Sequence, residues 1–219
     1  MIPSLSVRDG WKLAAGLLIL TAAILSAAYW PVYPYFLDSY YHLSVIQGFH
    51  EAGGPVLHAF WEAAPEGRPH LYPPLFHLIS LPVVEWGSSL MALAKGWCAA
   101  IFPLLLLTAW LVFSRITTAR ESFLILLALS LPYSFYLGCL NYLPATLVLV
   151  AALGILLALF RHRWLAGGLL LACAFWVHAG LPWLVALGLL LFGLLEPAYR
   201  KTAWKILLLG LMGARPWQL

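Results

Sequence analysis

Apolar runs long enough to cross a bilayer follow one another along most of the chain, separated by short basic segments. A helix of about 20 apolar residues spans the hydrocarbon core. Predicted spans of 18 residues each cover residues 13–30, 96–113, 123–140 and 143–160. Proline ends or kinks a helix, so Pro132 bends the third span. Residues 164–195 are too long for one span and predict a hairpin that turns at residues 178–182, while residues 203–212 begin a further helix.

One polar stretch, residues 36–79, interrupts this pattern and holds five of the seven histidines and four of the eight acidic residues. Asp38 begins a predicted helix that ends at Gly53, because glycine favours the end of a helix. Asp38 and His42 are one turn apart and therefore share a face of this helix. The apolar members of the same face are Val45, Ile46 and Phe49. This amphipathic pattern predicts a helix that lies on the membrane surface.

Residues 71–86 are apolar enough for a further span, but three prolines and a histidine interrupt them. If this segment crossed the membrane, Arg115 and Arg120 would lie opposite the basic residues that precede the first span. Basic residues concentrate on the cytoplasmic side of membrane proteins. We therefore place residues 71–86 in the membrane interface.

The predicted fold is an all-α, polytopic transmembrane helical bundle of six spans, or seven with the last one cut short. It forms a single domain. Residues 1–36 hold the first span, residues 37–89 form a large external loop with amphipathic surface helices, and residues 90–214 hold the remaining spans. A secretory signal sequence cut near Ala28 is the alternative interpretation of the first apolar run.

The composition supports a membrane location and argues against a nucleic-acid function. The chain is 63% hydrophobic and 9% charged, whereas soluble domains are roughly 25% charged. The net charge of +4 is dispersed in pairs at the ends of apolar runs and forms no basic stripe. The three cysteines stand in apolar segments without a Cys-x-x-Cys motif, which is typical of small core residues.

Several short motifs follow one another through the polar stretch. They are Asp38, Tyr41-His42-Leu43, Phe60-Trp61, Pro65-Glu66-Gly67 and Tyr72-Pro73-Pro74-Leu75-Phe76. Together with one preceding span and a cytoplasmic start, this order resembles the GT-C class of membrane glycosyltransferases. Within that class it is most similar to the N-terminal transmembrane part of the archaeal-type oligosaccharyltransferase catalytic subunit. The resemblance covers residues 1 to roughly 160.

The resemblance implies a glycosyltransferase that moves a sugar from a polyprenyl phosphate or diphosphate to an acceptor on the external face of the cell membrane. It implies a polyprenyl-linked sugar donor and membrane lipids as partners, together with a further subunit or a C-terminal domain. Asp38 would be the catalytic carboxylate, acting directly on the acceptor or through a bound divalent cation, Mg²⁺ or Mn²⁺. The alternative role of Asp38 is to cap the helix that follows it.

Five further residues are candidates for binding the substrate. His42 could bind phosphate or orient the catalytic carboxylate, and the guanidinium of Arg68 suits phosphate oxygens. Tyr72 belongs to the last of the family motifs, and Asn141 stands where the family carries a second acid. His178, at the predicted hairpin turn, could contact a lipid phosphate or a backbone carbonyl.

One other function class is compatible with the residues, and a transporter is less so. Because an asparagine replaces the family's second acid and the family's later helices have no counterpart, the alternative is a non-catalytic lipid-binding membrane subunit or an N-terminal fragment of a longer GT-C enzyme. A transporter would need charges along buried helix faces, and the predicted spans carry almost none.

Overall fold

The computed structural model describes residues 7–29, 37–53 and 73–214, and these residues form helices joined by turns, with no strand among them. The bounds of the helices are α1 Val7–Tyr29, α2 Leu37–Glu51, α3 Leu75–Glu85, α4 Leu90–Ile116, α5 Ala119–Ser130, α6 Tyr133–Asn141, α7 Leu143–Phe160, α8 Trp164–Val177, α9 Leu181–Leu195 and α10 Arg200–Ala214. The predicted all-α fold class is confirmed for the described residues.

Three of these helices, α1, α4 and α7, are long and apolar enough to cross a membrane. Helix α4 has 27 residues, which corresponds to roughly 40 Å at 1.5 Å per residue. Helices α8 and α9 are apolar but have only 14 and 15 residues. They measure roughly 21–23 Å, against about 30 Å for the hydrocarbon core. The predicted count of six spans therefore stays a prediction.

The first half of the bundle alternates in direction. The start of α1 and the end of α4 line one pocket, through Arg8 and Arg115, so these two helices are antiparallel. Helices α4 and α7 are parallel, because Cys98 and Leu143 share one packed cluster while Leu153 packs beside the cluster of Ala109. Between α4 and α7 the chain returns through α5 and α6, which are separated at residues 131 and 132 as the bend predicted at Pro132 requires.

Glycines allow α8 and α10 to pack very closely and in parallel. A Cβ placed on Gly167 would lie 2.6 Å from the side chain of Ile206, and one placed on Gly210 would lie 2.5 Å from the side chain of Leu171. Helix α9 runs between them in sequence, and the chain turns at residues 178–180. The hairpin turn predicted at residues 178–182 is confirmed in position, whereas its crossing of the membrane stays a prediction.

These directions bring most basic side chains to one end of the bundle, which we call the basic end. At this end the end of α7 contacts the start of α10, since His162 Nδ1 lies 3.1 Å from Thr202 Oγ1. The residues of the basic end are Arg8, Lys12, Arg115, Arg120, Arg161, Arg163, Arg200, Lys201 and Lys205. Lys95, near the start of α4, lies toward the other end.

Helices α2 and α3 cover the opposite end of the bundle. Residues 42, 45, 46 and 49 of α2 are buried, and this face packs against Phe76 and Leu81 of α3 and against the cluster that includes Ile101 of α4. The face predicted to rest on the membrane surface is therefore covered by protein. Helix α3 has 11 residues, or roughly 16 Å, which is too short to cross a bilayer.

Candidate functional site

A hydrogen bond between two buried histidines joins α2 to α3. His42 Nδ1 lies 2.9 Å from His77 Nε2, and the two residues are 1% and 0% exposed. One ring nitrogen donates and the other accepts, so two doubly protonated rings could not make this bond. The bond fixes the start of α2 relative to α3 across 35 residues of sequence.

Aromatic rings enclose the histidine pair. Phe76 meets His42 edge-on with ring centroids 5.5 Å apart, and Phe49 meets His77 edge-on at 5.9 Å. Tyr41 lies against His42 with ring centroids 5.1 Å apart. Since the pair is closed off by aromatic rings, its hydrogen bond is made in an environment with little water, where such a bond is stronger than in solvent.

A second polar link joins α3 to α4. Trp97 Nε1 donates to Ser80 Oγ at 2.9 Å, and Ser80 Oγ donates to the carbonyl oxygen of Phe76 at 2.7 Å. Ser80 and His77 are three residues apart on α3 and so project from neighbouring positions of the helix. Helices α2, α3 and α4 are therefore held together at this end by side-chain hydrogen bonds as well as by apolar packing. We call this end of the bundle the histidine end.

Asp38 is the second residue of α2, one turn before His42. Its backbone is described and its side chain is not, so the predicted catalytic role stays a prediction. Arg68 and Tyr72 lie outside the described residues. Asp38 and His42 lie on the same short helix, and the histidine pair holds the turn of α2 that follows Asp38.

The two other predicted site residues also lie at the histidine end, and each makes a local hydrogen bond. Asn141 ends α6, is 4% exposed, and donates from its side-chain nitrogen to the carbonyl oxygen of Leu137 at 2.8 Å. His178 follows α8, and its Nδ1 accepts from the backbone N–H groups of Gly180 and Leu181 at 3.1 and 3.3 Å. His178 therefore shapes the turn into α9.

His77 belongs to the candidate site, although its position in the sequence indicates only an interruption of an apolar segment. A buried polar side chain needs a hydrogen-bond partner, and this rule is what could have pointed to His77 from the sequence. Two histidines in apolar helices of the same loop are candidates to form a hydrogen bond with each other. Nothing in the local sequence specifies that His77 rather than another of the loop's histidines faces His42.

Mg²⁺ and Mn²⁺ favour oxygen ligands, whereas the histidine pair offers nitrogens, two of which are bonded to each other. Among the side chains that the structure describes, no group of three or more His, Cys, Asp or Glu is placed to hold a metal ion. The side chain of Asp38 is not one of them, so the predicted cation stays a prediction.

The fold and the site together define an all-helical protein with membrane-spanning character and a polar, aromatic-lined site at one end of its bundle. No protein-family model, no curated protein and no solved structure matches the chain. Any function for the site therefore has to be argued from the residues themselves.

Proposed function

We propose that the chain is a GT-C-type glycosyltransferase that moves a sugar from a polyprenyl phosphate or diphosphate to an acceptor on the external face of the membrane. The observation that carries the proposal is the position of Asp38 on α2, one turn before the buried bond between His42 and His77. A short helix anchored in this way would hold a carboxylate at a fixed height. Fixed placement of a base against its substrate is what such a reaction requires.

In the proposed reaction the acceptor hydroxyl or amide attacks the anomeric carbon of the donor sugar. The bond from that carbon to the phosphate oxygen breaks, and the lipid phosphate leaves with the bonding electron pair. Asp38 takes the proton of the acceptor as general base. The histidine pair acts as a positioning device, since its bonded nitrogens hold α2 against α3.

The proposed topology has six spans, with residues 37–89 outside the cell and the basic end inside. Its support is the separation of the two ends along α4. Trp97, which bonds to α3, and Arg115, which lines the basic pocket, are 18 residues apart on this helix, or roughly 27 Å. That distance is close to the thickness of the hydrocarbon core, about 30 Å.

A second candidate function is a non-catalytic lipid-binding membrane subunit, or an N-terminal fragment of a longer enzyme. Its support is that three predicted substrate-binding side chains make hydrogen bonds within the protein. These residues are His42, Asn141 and His178. In addition, Asn141 supplies no second carboxylate at the position where the family has one.

The test compares Asp38→Asn with the parent and with Glu85→Gln in the same membranes, supplied with a radiolabelled polyprenyl-phosphate-linked sugar. Glu85 ends α3 and is exposed, so its variant removes a carboxylate from the same loop without touching the histidine pair. Transfer by Asp38→Asn should fall by roughly 10²–10⁴, the range for loss of a general base, with unchanged thermal stability. Because asparagine caps helices about as well as aspartate, a normally folded Asp38→Asn protein that keeps its activity would make Asp38 a cap. A parent without any transfer would favour the second function.

A further inference from the structure

The basic end contains a concave pocket that the proposed function does not use. It has a volume of about 880 Å³ and lies between the start of α1, the end of α4 and the start of α5. Its charged and aromatic lining residues are Arg8, Lys12, Arg115, Arg120, Trp11 and Trp110. Three separate helices thus contribute cations to one cavity, whereas the basic residues at the end of α7 and the start of α10 lie outside it.

The pocket carries an excess of positive charge. Lys12 forms an ion pair with Asp9 at 2.7 Å, and in the part of the chain that the structure describes no ion pair involves the three pocket arginines. Glu121 is engaged in a capping box with Thr118, and hydrogen bonds from the backbone and then the side chain of Thr118 lower the pKa of this carboxyl. Even with Asp9 and Glu121 both counted, the four cations exceed the nearby acids by two.

The lining suits an oxyanion such as a phosphate group. Guanidinium groups bind phosphate oxygens through paired N–H donors, and here they approach from α1, α4 and α5. The first residues of α5, Ala119 and Arg120, line the pocket, and the N-terminus of a helix adds positive potential. Tryptophan favours the membrane interface, where its ring is in an apolar layer and its N–H is in a polar one.

An apolar surface leads away from the pocket along α4. Leu111 lies one turn before Arg115, and Leu107 and Leu104 continue the same side of the helix; their side chains are 38%, 41% and 40% exposed. A lipid whose headgroup phosphate occupied the pocket would have its acyl chains against this surface. Basic pockets between membrane helices on the cytoplasmic side suit anionic headgroups.

We infer that this pocket binds the phosphate of an anionic phospholipid headgroup in the membrane leaflet at the basic end. The inference is independent of the proposed glycosyltransferase, because the pocket lies at the other end of α4. It assigns to Arg8, Arg115 and Arg120 a shared ligand rather than a general role in orienting the chain.

Native mass spectrometry of the full chain in detergent, titrated with phosphatidylglycerol, phosphatidylcholine or inorganic phosphate, tests this inference. The pocket variant carries Arg8→Gln, Arg115→Gln and Arg120→Gln. The matched control carries Arg161→Gln, Arg163→Gln and Lys201→Gln, which removes the same charge from the same end but outside the pocket. A basic residue close to an anionic lipid group contributes roughly fivefold to binding. The pocket variant, which lacks all three arginines, should therefore lose on the order of 100-fold in affinity for phosphatidylglycerol. The control residues do not line the pocket, so their removal should change this affinity by less than about threefold.

Two results would overturn the inference. Equal losses in the pocket and control variants would mean that diffuse positive charge, and not the pocket, attracts the lipid. Binding of inorganic phosphate alone, with no preference for phosphatidylglycerol over phosphatidylcholine, would mean a soluble phosphate ligand. Melting temperatures of all variants report on folding. If the triple variant does not fold, the three single variants replace it, and an unchanged affinity in all three would be equally decisive against the pocket.

Discussion

The histidine pair offers a direct test of how the candidate site is held together. Replacing His77 by phenylalanine keeps a ring between α2 and α3 but removes the nitrogen that bonds to His42 at 2.9 Å. The reciprocal variant is His42→Phe, and the double variant replaces both rings. Because the two histidines are 1% and 0% exposed, bulk water cannot substitute for the lost bond.

The expected magnitude follows from this burial. Each single variant removes one partner of a buried hydrogen bond, which costs roughly 1–3 kcal/mol because the remaining polar group is desolvated. In the double variant neither ring offers a nitrogen, so its cost should be smaller than the sum of the single costs. Coupling energies of residues in contact are on the order of 0.5–3 kcal/mol, and we expect the pair to lie in the upper half of this range.

Thermal unfolding in one detergent, measured for the parent, the two single variants and the double variant, gives the coupling energy. For a chain of this size, 1 kcal/mol corresponds to a shift of about 2–4 °C in melting temperature. His50→Phe is the control, because His50 lies on α2 and is exposed, and an exposed substitution changes stability by roughly 0.5 kcal/mol or less. Additive costs of the two single variants, within about 0.5 kcal/mol, would refute the claim that this bond fixes α2 against α3.

Three further predictions concern the rest of the bundle. The Cβ introduced by Gly210→Ala would lie 2.5 Å from the side chain of Leu171 on α8, whereas that of Gly188→Ala would have no neighbour within 4 Å. The Gly210→Ala protein should therefore be less stable than the Gly188→Ala protein by roughly 1–3 kcal/mol because of overpacking; equal melting temperatures would contradict the close approach of α8 and α10. With the native cysteines replaced, an impermeant thiol reagent added outside cells should modify Ala52→Cys and spare Ala198→Cys, both at exposed positions in turns; the reverse labelling would invert the proposed topology. The capping box lowers the pKa of Glu121. The stabilisation that Glu121 gives to the first turn of α5 should therefore be complete above the ordinary carboxyl pKa and should be lost as the pH falls through the lowered pKa. Hydrogen exchange of the first-turn amides, measured against pH, would report this loss.

Elements governed by local chemistry could be predicted from the sequence. The apolar run at residues 143–160 coincides with α7. A long apolar stretch rich in leucine and alanine favours a helix, and it has a proline in its first turn and a basic residue directly after its end. Pro132 separates α5 from α6 because proline lacks the N–H that would continue the helix. Helix α2, predicted from Asp38 to Gly53 on similarly local grounds, extends from Leu37 to Glu51. Gly53, in the turn that follows, has a φ of 71°, which glycine adopts without strain.

Contacts between distant segments could not be predicted in the same way. The amphipathic face of α2 is compatible with a lipid surface or with a protein partner, and the sequence pattern is the same in both cases. Only the tertiary fold places α3 over that face and brings His77 to His42. Likewise, Gly210 fits a helix that is exposed to lipid as well as one that touches a neighbour, and its role depends on α8 lying in parallel beside it.

The relation between the histidine pair and Asp38 determines which of the two proposed functions is correct. If the pair positions a catalytic carboxylate, then disturbing it should reduce transfer more than it reduces stability, because a displacement of about 1 Å at a reacting group costs on the order of 10²-fold in rate. If the pair only fastens α2 to α3 in a lipid-binding subunit, its variants change the melting temperature and leave no separate effect. The double variant is the informative one. Its loss of stability should be smaller than the sum of the losses in the two single variants, yet no hydrogen bond between the two rings would fix the orientation of α2. A double variant that folds well and has lost transfer would identify the pair as a positioning device for Asp38.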